Sequence, residues 1–255
     1  MKYLAIDTST DALSIATAQE KLDELKVTVS ITQVFQQQHG VTLIPEIQKM
    51  LQEQDWQASE IDEIIVGIGP GSYTGLRIGV TLAKMWGKSL NIKVSKVSSL
   101  ALLASQVSLE PANIIPIMDA RRMSAYVNIY ERHQGQLISQ GPDVHVDWQS
   151  WLESLTDTIH SSQKVWVLVG RKIQAFVDIF KSLYPEIDVK VIDEDELYPQ
   201  AAEVFRSDLK EAIDDIDTLT PNYAHATLAE REWAEKNDTK IANEEENERF
   251  IEHFS

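Results

Sequence analysis

The sequence predicts an α/β protein of two tandem lobes, in which each lobe has a mixed sheet flanked by helices and the element order βββαβαβα. The same succession of apolar, alternating and helical segments occurs in both halves of the chain. In each half a short apolar strand ends in a turn with an aspartate, Asp7 or Asp119, and an alternating strand follows. Matched turns in a matched order favour a duplicated fold over coincidence.

In the first half, three strands precede the first helix. The apolar residues 3–6 and the alternating residues 12–18 and 27–32 predict these strands. Apolar side chains from Leu43 to Leu51 recur at helical spacing, which predicts a helix. The remaining predicted elements are a buried strand at 64–68, a helix at 73–90, a strand at 92–97 and a helix from Ser98.

The second half repeats this order with a hairpin arm added. Residues 114–118 predict a buried strand, and the alternation through Ala125, Val127 and Ile129 predicts the next one. The other predicted elements are the arm at 137–146, a helix capped by Asp147, a strand at 165–169, a helix after Gly170, a strand at 189–192 and a final helix from Pro199.

The segment 68–87, IGPGSYTGLRIGVTLAKMWG, is the most informative part of the sequence. A glycine–proline turn follows a buried strand, and Ser72 or Thr74 can cap the helix that begins there. Free N–H groups at such a helix N-terminus can receive an anion. The spacing does not match a P-loop, a dinucleotide-binding turn or a nucleophile elbow. The block therefore indicates a special backbone shape without a catalytic side chain.

Small residues recur at every fourth position of this helix and make one face nearly smooth. Each glycine costs a helix about 1 kcal/mol relative to alanine, so a close backbone contact should compensate. That contact is either with the lobe's own sheet or with a helix of a partner. Because the other faces are also apolar, a partner is favoured on one side of the helix. The close-packing residues are Gly75, Gly79, Ala83 and Gly87.

Composition excludes several classes of protein. The 255 residues carry a formal charge of −17, which disfavours independent binding to nucleic acid. The sequence has no cysteine, no apolar stretch of about 18 residues and no N-terminal export signal. We therefore expect a cytoplasmic protein without disulfides or a membrane span.

Four parts are expected along the chain. An N-terminal lobe covers residues 1–108, and a C-terminal lobe covers residues 109–215. Residues 216–235 are expected to pack back on the N-terminal lobe. Residues 236–255 are expected to form a disordered acidic tail, because charge dominates their composition.

Two resemblances follow from these motifs. The two-lobed architecture is similar to the actin, Hsp70 and sugar-kinase superfamily, whose lobes are RNase H-like and whose paired aspartate turns face a nucleotide. The glycine-rich block resembles, much more closely, the bacterial TsaB family. Weaker matches to that family are AIDTST at 5–10, His39 with residues 43–45, MDARR at 118–122 and PNYAHATLAE at 221–230.

The resemblance to the TsaB family implies an accessory role without catalysis by this chain. Proteins of this family pair with the homologous transferase TsaD, which threonylcarbamoylates N6 of adenosine-37 in ANN-decoding tRNAs, and they help to recruit the ATPase TsaE. The implied role is scaffold and activator, with tRNA contacted only through the complex. No cofactor of the chain itself is implied, and ATP or ADP binds only weakly or at the interface of the complex. Homodimer formation stays open.

The same resemblance and the apolar helix faces predict a partner surface. The helix around residues 41–51 and the helix at 73–90 would form a four-helix contact with the partner. Arg77 and Lys84 are either rim cations for this partner or solvated charges. The predicted interface residues are His39, Leu43, Ile47, Tyr73, Thr74, Arg77, Ile78, Val80, Thr81 and Lys84.

A vestigial nucleotide or anion pocket is the second predicted site. Thr8 and Ser9 stand where active kinases of the superfamily usually have glycine, and Arg121 lies beside Asp119 in the other turn. Alternatively, both aspartates only stabilise their own turns. The pocket residues are Asp7, Thr8, Ser9, Gly69, Gly71, Ser72, Asp119 and Arg121.

Two other functions are weighed against the accessory role. A small-molecule kinase or ATPase of the actin-like superfamily is disfavoured by the missing glycine in the Asp7 turn. A metallopeptidase is disfavoured further, because TsaD-type subunits hold a metal with two histidines four residues apart. His39 has Leu43 at the second of these positions, so we expect no metal. No catalytic residue is identified.

Overall fold

The computed structural model describes residues 1–22, 24–35, 38–206 and 209–224. These residues form two compact units. The first unit combines Met1–Gln106 with Tyr198–Asn222, and the second contains Val107–Leu197 followed by Tyr223 and Ala224. Each unit has its own mixed sheet with accompanying helices, so the predicted fold class is confirmed.

The first unit follows the predicted order of elements. Three strands, a helix, a strand, a second helix, a strand and a short helix succeed one another. They are β1 (Lys2–Asp7), β2 (Ala12–Lys21), β3 (Glu24–Val34), α1 (His39–Gln52), β4 (Glu63–Gly67), α2 (Tyr73–Leu90), β5 (Lys93–Val97) and α3 (Ser99–Ala104).

The second unit contains more strands than the predicted repeat. They are β6 (Ala112–Asp119), β7 (Ser124–Val127), β8 (Tyr130–His133), β9 (Gln136–Ser139), β10 (Val144–Asp147), α4 (Trp148–Ser154), α5 (Thr156–Ser161), β11 (Val165–Gly170), α6 (Gln174–Leu183) and β12 (Val189–Asp193). The predicted alternating strand stops at Val127, and the side-chain Oδ1 of the buried Asn128 accepts from the Ile129 N–H at 2.7 Å. The Asp147 cap is present, since its carboxylate accepts from Ser150 N at 3.0 Å.

The segment Tyr198–Asn222, here called the returning segment, differs from the sequence-based expectation. Residues 198–215 were expected in the second lobe but group with the first unit. In place of the final helix expected from Pro199 there is a 3₁₀ helix at Ala201–Phe205, followed by the short strand β13 (Glu211–Ala212). Strand β13 pairs with the edge strand β5, and Ala201 N donates to Ser14 Oγ of β2 at 2.8 Å. Pairing with distant strands decides the place of this segment.

The sheet of the first unit positions the candidate site. Its strand order is β13-β5-β4-β1-β2-β3, and β1, β4 and β5 are parallel. Since Ile6 pairs with Val66, the turns that follow β1 and β4 lie at the same edge of the sheet. Buried apolar side chains from β1, β2, β4, α1 and α2 form the core beside it, among them Leu4, Ile15, Ile47, Val66 and Val80.

The sheet of the second unit has the order β10-β7-β6-β11-β12, with the hairpin of β8 and β9 added on β6. Its core is rich in aromatic side chains, including Trp148, Trp151, Trp166, Phe176 and Phe180. In the part of the chain that the structure describes, no helix is both long and apolar enough to cross a membrane.

Candidate functional site

Helix α2 contacts its own unit through its small residues. A Cβ atom on Gly75 would overlap the backbone carbonyl of Thr8, and one on Gly79 would lie 2.6 Å from the Thr8 hydroxyl. That hydroxyl donates to the Gly75 carbonyl at 2.8 Å. Farther along the helix, a Cβ on Gly87 would overlap the side chain of Ile216. Of the two contacts that the sequence left open for this face, the structure contains the internal one.

The turn before α2 is bonded to the turn that follows β1. Ser72 N donates to the Ser9 carbonyl at 2.6 Å, and Ser72 Oγ caps the helix by accepting from Gly75 N at 3.3 Å. Gly71 has a φ of +152°, and a Cβ there would overlap the Ser9 carbonyl, so only glycine fits. The Ser72 N–H, which the sequence offered to an anion, therefore has an acceptor within the chain.

The carboxylate of Asp7 is buried and bonded by groups of its own unit. Its Oδ1 accepts from Ser9 N at 2.9 Å and from Ser9 Oγ at 2.6 Å, and its Oδ2 accepts from Ser99 Oγ at 2.6 Å. Burial raises the pKa of Asp7 above its ordinary value, and the hydrogen bonds from Ser9 and Ser99 oppose part of this rise. Asp7 thus stabilises its own turn.

The second aspartate turn is built differently. Asp119 is exposed, and its Oδ1 accepts from the backbone N–H of Arg121 at 2.6 Å. The three residues Arg121, Arg122 and Met123 all have positive φ angles, between 52° and 73°. Residues other than glycine rarely adopt this backbone conformation. Besides the bond to Asp119, a hydrogen bond from Ala120 N to the Ser124 carbonyl holds the turn in place. Like Asp7, Asp119 accepts from the backbone N–H two residues further along its own turn.

His39 is the first residue of α1 and is buried against the turn after Asp7. Its Nε2 lies 2.7 Å from the carbonyl of Thr10, and because a carbonyl can only accept, Nε2 carries the proton. Its Nδ1 has no hydrogen-bond partner among the described residues. Within the described ranges, no group of three or more His, Asp or Glu side chains could hold a metal ion. The contact of His39 with Thr10 fixes the start of α1.

An open apolar groove lies between α1 and α2, with a volume of about 500 Å³. Helix α1 contributes three of its lining residues and helix α2 contributes seven. Several large apolar side chains at or beside this groove are exposed to solvent, including Val41 at 71%, Met85 at 50%, Tyr73 at 47% and Ile44 at 39%. The described residues that line the groove are Gly40, Leu43, Ile44, Tyr73, Thr74, Arg77, Ile78, Thr81, Leu82 and Met85.

A single cation stands in this set of lining residues. Arg77 Nη1 donates to the Tyr73 hydroxyl at 2.8 Å, and the guanidinium lies 5.4 Å from the centre of the Tyr73 ring. This contact holds the guanidinium along the rim while its other N–H groups can meet a carboxylate. The groove therefore suits an apolar segment that carries an acidic group at one side.

The structure separates the predicted interface residues into two groups. Tyr73, Thr74, Arg77, Ile78 and Thr81 line the groove and are exposed or partly exposed. The others lie within the first unit: Leu43 contributes to the groove wall from the core, Ile47 and Val80 are core residues, His39 is buried, and Lys84 bonds the returning segment.

Lys84 differs most from its predicted place. It was expected at the rim as a partner cation or as a solvated charge. Its Nζ instead donates to the carbonyls of Asp217 and Leu219, each at 3.0 Å. The neighbouring Lys88 forms an ion pair with the Asp217 carboxylate. Both lysines therefore fasten the returning segment to α2.

Four groove residues were not predicted from the sequence. Gly40, Ile44, Leu82 and Met85 line the groove as well. The available signal was the amount of apolar surface on α1. Ile44 is apolar and lies outside the buried stripe of Leu43 and Ile47, and a helix that only covers its own core does not need it.

The chain is similar to several proteins of known description. A family model described as TsaD, tRNA N6-adenosine threonylcarbamoyltransferase, matches residues 30–233. The tRNA threonylcarbamoyladenosine biosynthesis protein TsaB of Bacillus subtilis is 33% identical over 92% of this chain and 99% of the relative. The protein of the same description from Escherichia coli is 26% identical over 71% of this chain and 76% of the relative.

A solved structure has the same fold. YeaZ from Pseudomonas aeruginosa superposes with a TM-score of 0.69 at 23% sequence identity, covering 87% of this chain and 99% of that chain. This likeness concerns the fold alone.

Proposed function

The chain belongs to the TsaB family, and from this membership we propose that it acts in the synthesis of threonylcarbamoyladenosine in tRNA as a non-catalytic docking subunit. Its partner is a homologous, TsaD-like transferase subunit that modifies N6 of adenosine-37 in ANN-decoding tRNAs. The partner seats a helix pair of its own on α1 and α2. The chain thereby activates the transferase without reacting itself.

The apolar groove between α1 and α2 is the observation that carries this proposal. Exposed apolar patches on a protein surface commonly mark sites of association. Ile44, Tyr73 and Met85 line the groove and are between 39% and 50% exposed, so a partner helix in the groove would bury apolar surface that the isolated chain exposes. A homologous subunit would present an equivalent pair of helices, so the contact would be a four-helix packing with a polar rim.

The turn around Asp7 supports a role without catalysis. Phosphate-binding turns expose several backbone N–H groups to the ligand. Here the N–H of Ser9 donates to Asp7, the N–H of Ser72 donates to Ser9, and the side chain of Thr8 fills the approach to α2. The described residues of this turn offer no base with a free carboxylate oxygen, which favours the docking subunit over a kinase.

The remaining members of the assembly follow from this proposal. A TsaE-like ATPase is recruited by the pair of subunits, and tRNA is contacted through the complex, in the cytoplasm. The charge of −17 supports indirect contact, because phosphates repel an acidic protein. The isolated chain needs no cofactor. Calorimetry with Mg-ATP tests this point, since sub-millimolar binding with phosphate release would favour a kinase or ATPase.

A pair of matched variants tests the docking site. Ile44→Asp places a charge in the groove. The control Ile138→Asp replaces an isoleucine of the second unit that is 48% exposed and does not line the groove. We expect Ile44→Asp to weaken binding of the TsaD-like subunit by at least about tenfold, because burying an unpaired carboxylate is costly. Binding is measured by calorimetry, and tRNA modification by reconstitution with each variant.

The two readouts separate the parts of the proposal. Ile138→Asp should bind and activate like the unchanged chain. If omission of the chain leaves the modification rate unchanged, the activator role is wrong. If both variants bind equally well, the partner uses another surface.

A further inference from the structure

The groove between α1 and α2 has an apolar side and a charged side. A Cβ on Gly40 of α1 would lie 3.7 Å from the Ile78 side chain, so Ile78 marks the side of α2 that is next to α1. Each residue turns a helix by about 100°, which places Arg77 and Tyr73 on the flank of α2 away from α1. The lining beside α1 is apolar and includes Leu43 and Ile78. The charge of the groove lies on the opposite flank.

No described residue supplies a carboxylate to this flank. Helix α2 carries Arg77 and two lysines but neither Asp nor Glu, and the one acidic residue of α1, Glu46, does not line the groove. The two lysines, Lys84 and Lys88, bond the returning segment. Within the described residues, the exposed Arg77 guanidinium donates to the Tyr73 hydroxyl and forms no ion pair. Its charge is therefore available to another molecule.

Tyr73 restrains the Arg77 guanidinium. The hydrogen bond from Nη1 to the Tyr73 hydroxyl and the position of the guanidinium, 5.4 Å from the ring centre, both limit its movement. The guanidinium carries further N–H donors in a planar fork whose geometry matches a carboxylate. Because the side chain is already restrained, it loses less conformational entropy when it binds a partner.

From these observations we propose that Arg77 selects the partner of the groove by pairing with a carboxylate on the partner's helix. The inference rests on the proposed function, because the TsaD-like subunit is the molecule that brings this carboxylate. The ion pair lies on the flank of α2 away from α1, while apolar side chains of the partner contact the side of Leu43 and Ile78. A partner helix rotated the other way would place its carboxylate against apolar residues, so the pair also sets the orientation.

The same cation disfavours a second copy of the chain as the occupant. In a two-fold contact both subunits use the same surface. Two such grooves would bring together two Arg77 guanidinium groups and, from the described lining residues, no carboxylate. Like charges across an interface are costly. Arg77 therefore favours the TsaD-like subunit over self-association.

Two neutral variants test the ion pair. Arg77→Met removes the cation of the groove, and Lys49→Met removes an exposed cation of α1 that does not line the groove, so both change the net charge equally. We expect Arg77→Met to weaken binding of the TsaD-like subunit about tenfold and to reduce the salt dependence of Kd, because a charge-assisted pair is lost. Lys49→Met should change Kd by less than about twofold. Calorimetry at several salt concentrations measures both variants.

Self-association should respond to Arg77→Met with the opposite sign. Sedimentation equilibrium of the full chain should show self-association at least about threefold stronger in the variant, because the like charges are gone. If Arg77 only supported the structure of the groove, its loss would weaken both contacts. Unchanged or weaker self-association would show that Arg77 does not select against a second copy.

Charge exchange identifies the carboxylate. Arg77→Glu should weaken binding of the TsaD-like subunit at least about a hundredfold, and arginine in place of one Asp or Glu on the subunit's equivalent helices should recover about tenfold or more. Recovery at none of these acidic positions would refute the ion pair. Equal effects of Arg77→Met and Lys49→Met would also refute it, while the proposed function would stand. Absence of binding by the unchanged chain would instead refute the proposed function and this inference with it.

Discussion

The two faces of helix α2 have similar apolar character but different surroundings. One face carries Gly75, Gly79 and Gly87, and its backbone lies against the turn of Thr8 and the side chain of Ile216. The other face carries Tyr73 and Met85, which stay about half exposed beside the groove. The helix thus packs its glycines inward together with Leu76 and Val80, and it leaves Tyr73 and Met85 partly exposed.

This difference shows that small residues and exposed apolar residues indicate different kinds of contact. A row of glycines indicates a close backbone contact but not with which molecule. Large apolar residues that stay about half exposed, as Tyr73 and Met85 do, are typical of a surface that takes part in association. The proposed docking surface therefore lies on the groove face and not on the glycine face.

The largest expected effect contrasts Gly75, on the inward face of α2, with Gly40 of α1, which lines the groove. Gly75→Ala should lower the free energy of unfolding by about 2 kcal/mol, because the added methyl overlaps the Thr8 carbonyl even though alanine favours helices. Gly40→Ala on the groove side should raise it by about 0.5 kcal/mol, since its Cβ would meet the Ile78 side chain at an ordinary 3.7 Å.

Urea denaturation of both variants measures this difference. A stabilised Gly75→Ala would mean that the inward face has room for a methyl group, and the proposed difference in packing between the two faces of α2 would be wrong.

A second, smaller effect concerns the turn against which the glycine face packs. Because burial raises the pKa of Asp7, the folded chain keeps a proton that the unfolded chain releases. The contribution of Asp7 to stability is then fully present below about pH 4, the ordinary value, and is lost as the pH rises through the folded pKa. Asp7→Asn does not titrate, so the stability of the variant relative to the unchanged chain should increase as pH rises from 4 to 7.

Denaturation curves at several pH values between 4 and 7 measure this trend. A difference between the two proteins that is constant across the range would contradict a raised pKa for Asp7.

The smallest effect concerns the outer edge of α2, where two lysines hold the returning segment. Lys84→Met should lower the free energy of unfolding by about 1 kcal/mol, because it removes the donor for the carbonyls of Asp217 and Leu219. Lys88→Met removes only an exposed ion pair with Asp217 and should leave stability unchanged within error. Thermal unfolding of the two variants measures this contrast, and equal losses would show that the carbonyl contacts carry no special weight.

Much of the fold could be predicted from local sequence patterns. The period of apolar residues located α1, α2, β4 and β11, and the capping residues Ser72 and Asp147 marked helix starts correctly. These features depend on residues that are close together in the sequence, so a local pattern is enough to predict them. The final helix after Pro199 and the lobe of residues 198–215 were wrong, because their place depends on pairing with β2 and β5.

The candidate site was predictable only in outline. The sequence identified the two helices that line the groove, since the helix at 73–90 is apolar on more than one face and the helix at 41–51 was expected to lie beside it. It placed His39 and Lys84 at the partner surface, whereas one bonds the carbonyl of Thr10 and the other the carbonyls of Asp217 and Leu219. Backbone carbonyls far along the chain are acceptors that no sequence pattern displays.

By itself, the sequence determined the family, the two mixed α/β lobes and the need for close backbone contacts along Gly75, Gly79 and Gly87. The tertiary structure decided which side of α2 packs against its own unit and which side borders the groove. Thr8 reaches the glycines because β1 and β4 are parallel neighbours in the sheet, and that pairing joins residues about 60 positions apart. Periodicity tells how a helix distributes its side chains, but only the packed chain shows which face stays exposed.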